Sequence, residues 1–179
     1  MTNRKVLWIT QTAVLTALLI VTQAVTASLG NTLVTGSMVN LILIVAVMLA
    51  QLSSGLTVAA ISPIFAKFLG IGPLWSLIPF IVIGNMVLVW VWHLLGNRKF
   101  GKPAIGYIIA LVAAAIGKFL ALYIGVVQIA VPYLLQLPDP QAVAISGMFS
   151  IPQLVTASIG GALAVIILPL LKKAAASRL

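Results

Sequence analysis

The chain has 179 residues, 63% of them hydrophobic and 6% charged, and its mean hydropathy is +1.26. Ten Lys or Arg stand against one acidic residue, Asp139, for a net charge of +9. This excludes a soluble core, and the apolar runs approach the ~20 residues that cross a bilayer as helix. The cations sit in groups of two or three at segment ends, not on a basic face interleaved with aromatics, which points to membrane orientation and not to nucleic acid. Without Cys there is no disulfide, thiolate nucleophile or Cys-ligated metal. One His and one Asp leave almost nothing for a hard-metal site, and no cofactor is expected.

Hydropathy punctuated by Gly, Pro and Asn predicts one all-α membrane domain over residues 1–179 with six transmembrane helices. The first, Val6 to Leu29, follows Arg4 and Lys5 and ends near Val25-Thr26-Ala27, which resembles a signal-peptidase site. It is long enough to span, and Thr10, Gln11, Thr12 and Gln23 interrupt it more than a signal core allows, so it is read as a retained helix. Helices two and three, Gly36 to Gln51 and Gly55 to Leu69, are short for a ~30 Å core and are read as two separate short helices, the alternative being one bent hairpin around Ser53-Ser54-Gly55. Helix four runs from Pro79 to Gly96, helix five from Ala104 to Val131 and helix six from Ser146 to Lys173. Gly70-Ile71-Gly72-Pro73-Leu74-Trp75 predicts a turn carrying an aromatic before helix four. Pro132, Pro138, Asp139 and Pro140 predict a long, stiff loop from Pro132 to Ile145. No repeat recurs at a fixed spacing, which argues against an inverted-repeat carrier.

Arg4 and Lys5, then Arg98, Lys99 and Lys102, then Lys172, Lys173 and Arg178 fall at alternate ends of the six helices, so all share one side. The positive-inside rule makes that side cytoplasmic, with both termini, and leaves Gly30 to Thr35, Gly70 to Ile78 and Pro132 to Ile145 outside a bacterial plasma membrane.

Two cations depart from this pattern. Lys67 falls near the outer end of helix three, and Lys118 about 14 residues, or roughly 21 Å, into helix five. An ionisable group at depth is costly unless it meets a partner, water or ligand, although snorkelling along the alkyl stem serves a shallow lysine as well. The same arithmetic places Gln23, Asn40, Asn85, Gln128 and Gln153 in the outer halves of their helices. Interhelical hydrogen bonds can retain such groups. Concentration in one leaflet beside two lysines without acids fits a cavity that opens outward and takes a solute with hydrogen-bonding edges and a carboxylate or phosphate. Trp75, Tyr123 and Tyr133 are placed to stack on or cap it, although belt anchoring is the ordinary role of interfacial aromatics and the one expected for Trp90, Trp92 and His93.

An enzyme is not expected. Ser146 and His93 belong to opposite faces and no Gly-x-Ser-Gly run occurs, which disfavours an intramembrane serine protease; a metal-dependent phosphotransferase needs several carboxylates. Small residues recur at helical spacing at Ala13 and Ala17, and at Ala113, Gly117, Ala121 and Gly125, where helices can approach closely.

In size, six-helix topology and the stretch Ala13-Val14-Leu15-Thr16-Ala17, the whole chain is similar to the substrate-binding S component of an energy-coupling factor (ECF) vitamin transporter. The resemblance implies an outward vitamin site between the helices, here Asn40, Lys67, Trp75, Asn85, Lys118, Tyr123, Gln128 and Gln153, capped by loops around Asn31, Trp75 and Tyr133. It also implies that Ala13 and Ala17 meet a transmembrane coupling subunit carrying two cytosolic ATPases, whose cycle topples the loaded S component to face inward. The chain has no Gly-x-x-x-x-Gly-Lys-Ser/Thr phosphate loop of its own. Leu33 to Asn40 leans toward the cobalamin-type members, with pantothenate the next choice. Two other classes stay open: a stand-alone secondary carrier, which usually needs an acidic relay or broken helices at the midplane, and a structural subunit that binds no solute.

Overall fold

The computed structural model describes residues 2–98, 100 and 103–176. Lys99, Lys102 and Arg178 of the cationic groups lie outside the described residues. Among the described residues seven α-helices follow one another: α1 Thr2–Ala27, α2 Thr32–Leu49, α3 Leu52–Phe68, α4 Ile78–Gly96, α5 Pro103–Leu122, α6 Asp139–Met148 and α7 Ile151–Ala176. A 3-10 turn, Trp75–Leu77, leads into α4, and α5 continues as a π-helix over Tyr123–Leu135. No strand occurs among the described residues. Five stretches are long and apolar enough to cross a membrane, and α3 is a shorter sixth of 17 residues, the makeup of a multi-pass membrane protein.

Helix α2 is the centre of the bundle, with 56% of its apolar span buried, whereas α1 lies on the periphery with 11%. The core joins Leu43, Ile44 and Val47 of α2 to Val58 of α3, Leu88, Val89 and Trp92 of α4, Ala110 and Ala114 of α5, and Ala164 and Leu168 of α7. A smaller cluster of Leu77, Leu122, Val126, Ala130 and Phe149 closes the opposite end. Trp92 is fully buried, its ring 6.2 Å from that of Tyr107, so it is a core residue and not the belt anchor that its position near a helix end implied. Trp90, two residues earlier, is half exposed.

Three segments differ from the sequence expectation. The α2–α3 turn falls at Ala50–Gln51, not at Ser53-Ser54-Gly55. Those residues lie within α3 because α1 and α2 use them: the Trp8 indole donates to Ser53 Oγ at 3.0 Å, Thr12 Oγ1 donates to Ser54 Oγ at 2.9 Å, and a Cβ on Gly55 would come within 2.8 Å of Val47 Cβ. The stretch Pro132 to Ile145 is not a long loop. The π-helix carries on through Pro132 to Leu135, and α6 begins at Asp139 with Pro140 in its first turn. Proline there sacrifices no intrahelical hydrogen bond, and a carboxylate there is favoured by the helix dipole. The last predicted helix is broken at Phe149–Ser150, between α6 and α7.

The stripe of small residues on α5 and its π-helical continuation packs on α4: a Cβ on Gly117 would meet Val87 at 3.2 Å and one on Gly125 would meet Phe80 at 2.8 Å. Closest of all is the approach of α7 to α2. A Cβ on Gly160 would lie 2.6 Å from the Ser37 carbonyl oxygen and 2.7 Å from Asn40 Cβ. Backbone cannot step aside as a rotamer can, so Gly160→Ala is expected to destabilise by about 1 to 3 kcal/mol, measured as a fall in Tm in detergent. Gly147→Ala, where a Cβ has open space in α6, should instead hold or raise Tm.

Contacts between helix ends sort the bundle into two poles. At one pole Trp8 meets Ser53, Gly96 approaches Met48, and the Lys172 ammonium lies 5.4 Å from the centre of the Tyr107 ring. Arg4, Lys5 and Arg98 are exposed on these same helix ends. The connections at 28–31, 69–77 and 149–150 gather at the other pole.

Candidate functional site

A cavity of about 710 Å3 opens at that second pole, within the size range of drug-sized ligand pockets. Its rim is formed by Gly30 and Asn31, by Gly70 to Leu74, and by Ile145, Met148 and Phe149. Asn31 holds the first of these connections, since its Oδ1 accepts the N–H groups of Leu33 and Val34 as the N-cap of α2. Gly30, Gly70 and Gly72 adopt the left-handed backbone that their turns require.

Six helices contribute polar residues to the wall: Gln23 from α1, Asn40 with Thr32 and Thr35 from α2, Lys67 from α3, Asn85 from α4, Lys118 from α5 and Gln153 from α7. Periodicity explains the convergence. Asn40 and Asn85 stand eight and seven residues from the starts of their helices, Thr32 and Ile78, which is roughly 10 to 12 Å down from the rim.

Lys118 is at the floor and is 4% exposed. Its ammonium donates to Asn40 Oδ1 at 2.6 Å and to Asn85 Oδ1 at 2.7 Å. Asn40 Nδ2 donates to Thr156 Oγ1 at 3.4 Å, and the Thr156 hydroxyl donates to the Gln153 carbonyl at 3.2 Å. A polar chain thus ties α5 to α2, α4 and α7. Gln153 Nε2 donates to the Met148 carbonyl at 3.1 Å, fixing the α6–α7 corner at the mouth. Gln23 Oε1 is buried without a hydrogen-bond partner. Lys67 is half-buried in the last turn of α3. Asp139 is exposed at the first turn of α6.

Three residues of the expected set are not brought to this wall. Gln128 is exposed, because each π turn takes in about one residue more than an α turn, so the face that carries Lys118 slips in phase beyond Tyr123. Tyr123 stacks on Phe119 at 5.6 Å, and Trp75 sets its edge against Phe68 at 5.0 Å with half its surface exposed. Tyr133, expected at the cap, is 75% exposed and also outside the cavity lining. Thr156 escaped the sequence reading, yet it stands three residues after Gln153 and so shares its helix face.

Ala13 and Ala17 are exposed along α1 and line a shallow groove of about 410 Å3 with Trp8, Thr12, Thr16 and Ile61 of α3. No known protein family, curated protein or solved structure matches this chain.

Proposed function

We propose that the protein captures a small, water-soluble, vitamin-like solute from outside the cell and serves as the substrate-binding subunit of an ECF-type ATP-driven importer. The observation that carries this reading is the cavity itself: polar side chains from six apolar helices meet at one pole, and the cationic helix ends lie at the other. With the cationic pole in the cytoplasm, the mouth faces outward. Polar groups at such depth are costly in hydrocarbon and are ordinarily found facing a cavity or a ligand.

The volume bears on the solute. About 710 Å3 accommodates a molecule of pantothenate's size, and pantothenate and cobalamin are the two solutes proposed. The second half of the proposal, delivery through a coupling subunit and two ATPases, is supported by the peripheral α1 with its open alanine groove. Mass spectrometry of small molecules released by denaturing the purified protein, followed by titration calorimetry with pantothenate, cobalamin and whatever is released, tests the first half. A stoichiometric solute is the expected result; no released solute and no binding across the panel would favour a structural subunit.

A further inference from the structure

We infer that the floor of the cavity is a receptor for a single carboxylate, built by Lys118 together with the amide N–H groups of Asn40 and Asn85. The inference rests on the solute-capture reading and narrows it to monoanionic solutes held by their acid group.

The chemistry follows from donor and acceptor inventories. An ammonium has three N–H donors and no acceptor, so a neighbouring carboxamide can only turn its oxygen toward it. Asn40 and Asn85 both do so, at 2.6 and 2.7 Å. Their orientation is thereby fixed, and both NH2 groups face away from Lys118. The floor consequently turns donors toward the cavity: the third ammonium N–H, the Asn85 NH2, and the second N–H of Asn40, whose first goes to Thr156. All three side chains line the cavity. A carboxylate supplies two oxygens with about four lone-pair sites, which matches these donors. A cation there would face the Lys118 ammonium with no acid beside it.

Charge narrows the class further. Lys118 is the one cation at the floor and its neighbours there are neutral, so one negative charge completes neutrality. Lys67 is half-buried on α3, and a dianionic phosphate would need it drawn to the floor. Neutral oxygens of two asparagines replace only part of the hydration that the ammonium loses. The remainder falls to water or to a solute in the cavity, and a carboxylate supplies it as a charge-assisted hydrogen bond.

The experiment is calorimetry on the purified full chain in detergent with three acid and uncharged pairs, namely pantothenate and pantothenol, biotin and biotinamide, and nicotinate and nicotinamide, plus thiamin as a cation and riboflavin as a neutral solute. Expected is binding of at least one acid, with its uncharged counterpart about 10- to 100-fold weaker. In Lys118→Met that preference should collapse while Tm without solute is held or raised, because a desolvated charge has been removed. Asn85→Asp covers the case in which Lys118→Met fails to fold: the built-in carboxylate should pair with the ammonium, keep Tm, and lower affinity for the acid by at least about tenfold. An uncharged partner that binds as tightly as its acid, or thiamin or riboflavin as the tightest solute, would overturn the carboxylate receptor and leave solute capture standing. No binding by any of the eight, by cobalamin or by any solute released from the purified protein would overturn both.

Discussion

Ala17→Leu, alone or with Ala13→Leu, is expected to abolish uptake by cells that carry the complete importer and to leave solute binding by the isolated protein unchanged. Both alanines are exposed, so the added carbons enter open space in the α1 groove and disturb no core contact. The polar chain around Lys118 runs through α2, α4, α5 and α7 and does not include α1. Only a partner whose backbone comes close to the groove will register the change, since small residues permit helix approach and Leu prevents it. Transport assays in cells paired with calorimetry on the purified variant separate the outcomes. Retained uptake removes the groove from the coupling surface. Loss of uptake and binding together means that α1 has been displaced from its seat on Ser53 and Ser54.

Depth along the chain was enough to find the polar layer, because a helix advances about 1.5 Å per residue and each segment's start was marked by turn residues. That is why Gln23, Asn40, Lys67, Asn85, Lys118 and Gln153 come together on one wall. What depth does not give is rotation. Gln128 has the right height and the wrong face, since a change from α to π winding beyond Leu122 carries no turn residue to announce it. The aromatics fail for a different reason. Tyr123 and Trp75 each have an apolar ring nearby, Phe119 and Phe68, and edge or stacking contact with it competes with a role in the cavity. Prolines and Asp139 misled over α6 because the residues that break a helix interior are also those that begin one. The buried Trp92 was hidden because its burial depends on residues of other helices, Tyr107 among them.

Asn85→Leu should lower the stability of the otherwise native protein by about 1.5 to 3 kcal/mol, the usual size of a hydrogen bond to a charged group. The mechanism is loss of one of the two oxygens that hold the buried Lys118 ammonium. The same substitution in a Lys118→Met background should cost almost nothing, because the two polar partners have then been replaced together by apolar groups. Asn85 is the better member for this cycle. Asn40 also donates to Thr156, so Asn40→Leu would retain a residual cost whether or not Lys118 is present. Equilibrium unfolding in mixed micelles gives the four stabilities, and a coupling of about 1 to 3 kcal/mol is expected; additivity within about 0.5 kcal/mol would mean that Asn85 does not hold the ammonium. A double variant as stable as the native chain would leave folding with no claim on Lys118 and Asn85. Their presence would then be accounted for by what enters the cavity, since departures from a consistent apolar interior concentrate where a protein works.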